Sequence, residues 1–301
     1  MILVTGGTGM AGSFMVRELQ QRGLPVRVLA RPESAEVARK LDVELVLGDL
    51  NDDASLRRAV VGTSGIVHVA RAPGSPDVDI AAMHTLLDAW AAGPFVFISS
   101  VDVYGYATDR PIVEDTPLRP YSPYGEGKVR CETMLAAAAA TKGNPNFSIL
   151  RPPHIWGPHP RCRQRLLDAR ITQGRPIVLP GATVEEWSQF GDAWVDTREL
   201  AWAAAECLHR PLAGAANVIN EHFTWHDLYT HLIQLANSSS RIEHRDLAAI
   251  SDTALPNKQF YAQTWRYSGQ RIEQQLGFQP SRRWQATLAE IVALDHEDAL
   301  R

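Results

Sequence analysis

The first half of the chain alternates short apolar runs with amphipathic stretches, a rhythm that few folds accommodate. The apolar runs have the length of buried strands and lie at residues 2–4, 26–29, 45–47, 66–69, 95–98 and 147–150. The amphipathic stretches between them predict helices at residues 13–22, 35–40, 54–60, 80–91 and 123–140. Strands that alternate with helices form a parallel sheet covered on both faces. The pattern predicts an α/β fold with a Rossmann-type doubly wound parallel sheet.

This rhythm ends after Leu150, where residues 151–160 contain four prolines. Proline excludes a regular helix or a central strand there, so we expect the chain to change domain. We predict a dinucleotide-binding domain over residues 1–150. Residues 151–301 are predicted to form mainly a smaller substrate-binding domain, with some segments returning to the first, and to contain helices at residues 162–173, 197–208, 225–236 and 283–294.

Composition and charge exclude several classes of protein. With 30 basic and 34 acidic residues the net charge is −4, which disfavours nucleic acid and anionic membranes as partners. The three cysteines are far apart and form no CxxC pair, so no disulfide framework or zinc ribbon is expected. With no signal peptide and no long apolar run, the sequence is typical of a cytoplasmic protein. His222 and His226 stand four apart without an HExxH glutamate, so we expect surface histidines and no metal site.

A glycine-rich turn is the strongest local motif. Gly6, Gly9 and Gly12 follow the first predicted strand and open the first helix, and Thr8 and Met10 stand between them. Glycines at these positions let backbone N–H groups approach a pyrophosphate, which the helix N-terminus also favours. These five residues are predicted to bind a dinucleotide cofactor.

The end of the second strand indicates which dinucleotide. An acidic residue near this point binds the ribose hydroxyls of NAD, whereas an arginine accommodates the 2′-phosphate of NADP. The chain has Ala30 followed by Arg31. Arg31 therefore predicts NADP as the preferred cofactor, with NAD as the alternative.

Three polar residues form a candidate catalytic set. Tyr124 and Lys128 are four apart and share one face of a predicted helix, so Lys128 can stabilise the phenolate and lower the pKa of Tyr124. Ser100 follows the fifth strand, at the sheet edge where open α/β sheets bind ligands, and can donate to a substrate oxygen. This set predicts general acid–base catalysis by Tyr124.

Together these motifs resemble the extended short-chain dehydrogenase/reductase family, the NAD-dependent epimerase/dehydratases. The resemblance extends over nearly the whole chain. It rests on TGGTGMAG at 5–12, GDL at 48–50, VHVA at 67–70, SSVDVYG at 99–105, YGEGK at 124–128, RPPHIWGP at 151–158, WVDTRELA at 194–201 and NVIN at 217–220.

The resemblance implies a role for each matching residue. Tyr124 would be the acid–base, Lys128 would hold the nicotinamide ribose and tune Tyr124, and Ser100 would bond the reacting oxygen. The remaining implied cofactor contacts are Asp49 and Leu50 at adenine, Val69 and Ala70 in the cleft, and Pro153 near the nicotinamide. The helices at 80–91 and 123–140 would pair in a homodimer, as in family dimers.

The departures from the family pattern concern the substrate. His154 stands where sugar-nucleotide enzymes have Asn, and Phe190 where they have Arg, so a sugar nucleotide is disfavoured. Val101 and Asp102 replace the Asp-Glu pair of dehydratases, which leaves half of that pair. The predicted substrate-binding residues of the cleft are Asp102, His154, Trp156, Arg161 and Trp187.

The sequence therefore predicts an NADP-preferring oxidoreductase that moves hydride to or from a carbonyl or carbinol carbon of a small molecule. One alternative is a nucleotide-sugar epimerase that retains its cofactor. The other is a dinucleotide sensor without turnover, which the presence of Ser100, Tyr124 and Lys128 disfavours.

Overall fold

The protein is a layered α/β structure built on one parallel sheet. A computed structural model describes residues 1–106 and 110–294. Its strands are β1 (Ile2–Thr5), β2 (Val26–Ala30), β3 (Glu44–Leu47), β4 (Gly65–His68), β5 (Phe95–Ile98), β6 (Phe147–Arg151), β7 (His154–Trp156), β8 (Ile177–Pro180), β9 (Gly191–Asp196), β10 (Gly214–Asn217), β11 (Glu221–Thr224) and β12 (Ile242–Arg245).

The α-helices flank this sheet. They are α1 (Met10–Gln21), α2 (Ala35–Arg39), α3 (Asp53–Val60), α4 (Pro76–Ala89), α5 (Pro123–Thr141), α6 (Pro160–Leu166), α7 (Ala169–Thr172), α8 (Val184–Trp187), α9 (Thr197–His209), α10 (Trp225–Leu235), α11 (Lys258–Tyr261), α12 (Gln270–Leu276) and α13 (Trp284–Val292). Helices α6 to α13 belong to the second half of the chain.

The central sheet has the strand order β10-β6-β5-β4-β1-β2-β3, and its neighbouring strands are parallel. The order reverses between β1 and β4, the switch point at which doubly wound sheets bind ligands beyond the carboxyl ends of their strands. The predicted Rossmann-type fold is confirmed.

Alternating side chains on the strands divide the core into two layers. Ile2 and Val4 of β1 pack with the residues of α1 and α9, whereas Leu3 packs on the other face with those of α3, α4 and α5. Successive strand residues point to opposite faces, and here both faces are covered. The central strands are therefore apolar at most positions, with Thr5, His68 and Ser148 among the buried polar exceptions.

Two elements of the second half return to this sheet. β10 extends it by pairing in parallel with β6, and α9 packs against α1. The rest forms a smaller unit around the sheet β11-β9-β7 and an aromatic core that includes Trp156, Trp194 and Trp284. The cleft of the protein lies between this unit and the central sheet.

One predicted helix is wrong. Residues 162–173 form two helices, α6 and α7, separated by Leu167 and Asp168. The carboxylate of Asp168 accepts hydrogen bonds from the backbone N–H groups of Arg170 and Ile171, so it caps a new helix. Asp168 thus starts a second helix inside the stretch predicted as one helix, and α6 ends before it.

Cys131, Cys162 and Cys207 are buried free thiols. Among the described helices, none combines the length and the apolar character needed to span a bilayer.

Candidate active site

A cleft of about 990 Å³ opens beyond the carboxyl ends of β1, β4 and β5. Its lining joins the turn before α1, the N-terminal end of α5 and the segment from β7 to α6. Of the residues predicted from sequence, the cleft brings together Gly6, Thr8, Gly9, Met10, Gly12, Arg31, Asp49, Leu50, Val69, Ala70, Ser100, Asp102, Tyr124, Lys128, Pro153, His154, Trp156 and Arg161.

Trp187 is not part of this lining. Its indole stacks on His244, with ring centroids 4.5 Å apart at 18°, and lies 4.3 Å from the ring of His226. The predicted contact between Trp187 and substrate therefore has no support from its position, because α8 is placed against α10 and β12 rather than over the cleft.

The two histidines of the predicted surface pair are half-buried and separately engaged. His222 Nε2 accepts a hydrogen bond from the N–H of Tyr267 at 3.0 Å, and His226 Nδ1 lies 3.0 Å from His244 Nε2. Both line a separate groove of about 460 Å³. Among the residues that the structure describes, no group of three or more His, Cys, Asp or Glu side chains is arranged to hold a metal ion.

The glycine turn forms a cradle that side chains would fill. Gly6 has φ +71°, a left-handed conformation that favours glycine. A Cβ on Gly12 would lie 2.1 Å from the carbonyl oxygen of Gly6, and one on Gly6 would lie 2.8 Å from the backbone of Ala70. This close backbone at the start of α1 fits the pyrophosphate of a dinucleotide.

The far end of the cleft contains Arg31 and Asp49. Arg31 follows β2, with its side chain 57% exposed and its guanidinium 3.1 Å from Glu33. The carboxylate of Asp49 accepts hydrogen bonds from the backbone and side-chain N–H groups of Asn51, both at 2.9 Å. The backbone bond is the main cause that lowers the pKa of Asp49, with a smaller contribution from Arg31.

Lys128 is buried at the base of the cleft and held in one orientation. Its Nζ donates to the carbonyl oxygen of Ile98 at 2.9 Å and lies 4.7 Å from the ring centroid of Phe97 and 5.7 Å from that of Tyr124. Burial is the main cause that lowers the pKa of Lys128. The strand β5 thus fixes the ammonium beneath the Tyr124 ring.

Burial of the Tyr124 phenol raises its pKa to about 12, and the charge of Asp102 acts in the same direction. A hydrogen bond with Ser100 and the charge of Arg71 only partly offset this. Burial is the largest cause of this shift and Lys128 is not among the main ones, in contrast to the predicted lowering of this pKa by Lys128. A protonated phenol next to Ser100 can donate a proton to a substrate oxygen.

The substrate end of the cleft contains an ion pair that the sequence did not suggest. His154 Nε2 lies 3.0 Å from Oδ2 of Asp192, whose side chain is almost completely buried. Burial opposes a charge on His154, but Asp192 and then Asp102 outweigh it and raise its pKa. Asp102 is largely buried, which raises its pKa.

Arg71 is a second residue that sequence reasoning missed. It lines the cleft just after β4, and its guanidinium carbon lies 5.1 Å from the ring centroid of Tyr124. Its place beyond the carboxyl end of a central strand was a signal that could have identified it.

Comparisons with known proteins agree with this geometry. A family model described as the NAD dependent epimerase/dehydratase family matches residues 2–218. UDP-glucose 4-epimerase 1 of Oryza sativa subsp. japonica is 32% identical over 185 residues, which are 53% of this chain and 52% of that protein. This chain thus spans about half the length of that relative.

Two further comparisons cover more of the chain. An uncharacterized protein of Escherichia coli (strain K12), YbjS, is 27% identical over 263 residues, 80% of this chain and 76% of that protein. The crystal structure of a Thermotoga maritima UDP-glucose 4-epimerase with UDP-glucose superposes with a TM-score of 0.80 at 20% identity, covering 97% of each chain. This likeness shows a shared fold.

Proposed function

The chain belongs to the NAD-dependent epimerase/dehydratase family, and on that premise we propose that it is an oxidoreductase acting on a carbonyl or carbinol carbon of a small molecule. The observation that carries the proposal is that Ser100, Tyr124 and Lys128 line the same cleft as the glycine cradle. A dinucleotide sensor needs the cradle but not a phenol beside a serine hydroxyl.

Each residue of the set has a distinct part in the proposed reaction. The bound nicotinamide supplies or accepts the hydride. Tyr124 donates its proton to the carbonyl oxygen, and Ser100 donates a hydrogen bond to the same oxygen. Lys128, whose ammonium donates to the carbonyl oxygen of Ile98, would hold the cofactor ribose. The pyrophosphate would be held by Gly6, Thr8, Gly9, Met10 and Gly12. The adenine would contact Asp49 and Leu50, and the nicotinamide ring would lie between walls formed by Val69, Ala70 and Pro153.

The protonation of Tyr124 favours the reductive direction. A pKa of about 12 keeps the phenol protonated at neutral pH, ready to donate. Oxidation of an alcohol needs the phenolate, which is rare at that pH. We therefore assign reduction of a carbonyl as the direction that this site serves best.

We propose NADP as the preferred cofactor. Arg31 is exposed in the lining of the cleft beside Ala30 and Ser34, and no carboxylate occupies the last position of β2. A guanidinium binds a 2′-phosphate with a charge-assisted contact. Glu33 pairs with Arg31 at 3.1 Å and competes with that contact, which limits the preference.

The proposed substrate has an apolar or aromatic body. The substrate half of the cleft is lined by Trp156, Trp225, Phe260 and Tyr261. Phe190 packs against the aromatic core and offers no charge to a diphosphate. The charged and polar groups of the same cleft, which include Asp102, His154, Arg161 and Arg165, would orient such a molecule.

A nucleotide-sugar epimerase remains the second candidate, because relatives named UDP-glucose 4-epimerase match about half of the chain and share the fold. Arg161 lines the cleft and is a candidate contact for a phosphate. Calorimetry of the NADP-loaded protein with UDP, dTDP and GDP separates the two functions. We expect no micromolar binding, together with NADPH oxidation by an aryl ketone; micromolar binding of one nucleotide would favour the epimerase.

We also propose a homodimer formed through α4 and α5. These two helices pack against each other on one face of the sheet, so a second copy would complete a four-helix bundle. Light scattering coupled to size-exclusion chromatography tests this, with a mass of one chain as the contradicting result.

A further inference from the structure

The substrate end of the cleft holds a histidine in one orientation. Oδ2 of Asp192 lies 3.0 Å from Nε2 of His154, and its Oδ1 accepts the backbone N–H of Ala193 at 2.7 Å. A buried carboxylate is costly unless it is paired, so this contact is strongly favoured. With Nε2 facing Asp192, Nδ1 is the ring nitrogen left for a ligand.

Aromatic neighbours keep the ring from turning. The centroid of the His154 ring lies 5.9 Å from that of Trp156 at 26°, 5.6 Å from Trp225 at 86° and 6.2 Å from Phe260 at 75°. The side chain nevertheless keeps 35% of its surface exposed. It therefore presents a fixed edge to the cleft.

The charges around His154 favour the imidazolium. Asp192 on β9 and Asp102 just after β5 are the carboxylates that act on it, and both raise its pKa against burial. The groups that in turn face Asp192 are Asp102, Tyr121, His222, Arg266 and Tyr267. An imidazolium whose Nε2 is paired with Asp192 offers the N–H of Nδ1 as a donor.

This donor and the catalytic phenol act on the same part of the cleft. The charge of Asp102 influences both His154 and Tyr124, and the backbone N–H of Asp102 bonds Ser100 Oγ at 3.2 Å. Asp102 thus acts on both donors. His154, Tyr124 and Ser100 line one cleft, so a substrate bound at Tyr124 and Ser100 shares that cleft with His154.

We propose that His154, positioned by Asp192, donates a hydrogen bond to a second oxygen next to the reacting carbonyl and so selects α-dicarbonyl compounds and α-hydroxy ketones over plain ketones. The inference rests on the proposed hydride transfer and names its substrate class. A plain ketone would leave the charged donor without a partner among aromatic walls, which penalises its binding.

Two ketones that differ by one oxygen test the selection. NADPH oxidation is measured with 1-phenylpropane-1,2-dione and 1-phenylpropan-2-one, and the ratio of their kcat/KM values is compared between wild type and His154→Phe. The higher intrinsic reactivity of the dione cancels in this comparison. A charge-assisted hydrogen bond predicts that the ratio falls about ten- to hundredfold in His154→Phe. The control His231→Phe, outside the cleft, should leave the ratio unchanged.

The positioning role of Asp192 has its own readout. Asp192→Asn removes the negative charge that raises the pKa of His154, so His154 loses its proton at a lower pH. The selectivity ratio should therefore fall at a lower pH in this variant than in wild type. A merely structural role would lower both rates without moving that pH. Melting curves show whether each variant folds, and His154→Gln is a second replacement for His154→Phe.

The remaining outcomes separate the inference from the proposed function. An unchanged ratio in folded His154→Phe and His154→Gln overturns the inference but not the hydride transfer. Equal losses for both ketones with weaker NADPH binding would assign His154 to the cofactor and also overturn it. Failure of the wild type to reduce either ketone contradicts the proposed reduction of ketones with an aromatic body and this inference together.

Discussion

Glu132 and Arg151 form a buried two-point ion pair that joins the helix of the candidate catalytic residues to the central sheet. Arg151 Nη2 lies 2.6 Å from Oε2 of Glu132, and Nε lies 3.0 Å from Oε1. The two side chains are 6% and 5% exposed, and Ser99 Oγ donates to the same carboxylate at 2.5 Å. Because Glu132 lies on α5 and Arg151 ends β6, the pair fixes the helix that carries Tyr124 and Lys128.

We expect Glu132→Ala to destabilise the protein by about 3–5 kcal/mol, since it leaves the Arg151 guanidinium buried without its carboxylate. Chemical denaturation measures the free energy of unfolding. The matched control is Asp88→Ala, which removes an exposed ion pair with Arg57 and should cost at most about 1 kcal/mol. Equal losses in the two variants would show that the buried pair has no special role.

Gly12→Ala should weaken dinucleotide binding at least about tenfold and destabilise the fold by roughly 1–3 kcal/mol, as overpacking does. The added Cβ would lie 2.1 Å from the Gly6 oxygen and force the cradle open. Gly214→Ala is the control, since its Cβ would have no neighbour nearer than 3.9 Å. Fluorescence titration with NADPH measures affinity; unchanged affinity in Gly12→Ala would exclude this turn as the pyrophosphate site.

The sequence predicted well what depends on short stretches of chain. The glycine turn, the YxxxK spacing and the strands β1 to β6 are each set by neighbouring residues. The dipeptide Ser122-Pro123 starts α5, and the same signal at Ser75-Pro76 starts α4, ahead of the predicted residue 80.

The His154–Asp192 pair could not be predicted in that way. The two residues meet because β7 and β9 pair in parallel with His154 opposite Trp194, and Asp192 lies two residues earlier on the same face. Strand pairing over such a separation in the chain depends on the tertiary fold. The rise in the pKa of Tyr124 could not be predicted for a related reason, since burial depends on packing from several elements.

Arg31→Ala should lower the affinity for NADPH about ten- to hundredfold and leave that for NADH nearly unchanged, because only NADPH has the 2′-phosphate that a guanidinium binds. Glu33→Gln should act in the opposite direction, since it frees Arg31 from an ion pair of 3.1 Å. Titration of both cofactors measures the preference. If the Arg31→Ala variant retains the preference for NADPH over NADH, Arg31 does not select the cofactor.

The two directions of the reaction should differ in their pH dependence. The reductive direction uses the protonated phenol of Tyr124. With a pKa of about 12 the phenol stays protonated from pH 6 to about pH 9, so the contribution of Tyr124 to the reduction rate is constant over that range. Oxidation uses the phenolate, whose fraction rises about tenfold per pH unit below that pKa. Initial rates at fixed cofactor saturation test this. A level oxidation profile over that range would contradict the raised pKa.

The central claim is that Tyr124 protonates a carbonyl oxygen while hydride passes from NADPH to the carbonyl carbon. The most direct test follows deuterium from NADPH that carries two deuterium atoms at the nicotinamide C4 into the alcohol formed from 1-phenylpropane-1,2-dione, by mass spectrometry. We predict one deuterium per product molecule in wild type, and a rate about 10²–10⁴-fold lower in Tyr124→Phe with NADPH affinity nearly intact. Binding of NADPH without deuterium transfer, or a native rate in Tyr124→Phe, would contradict the claim.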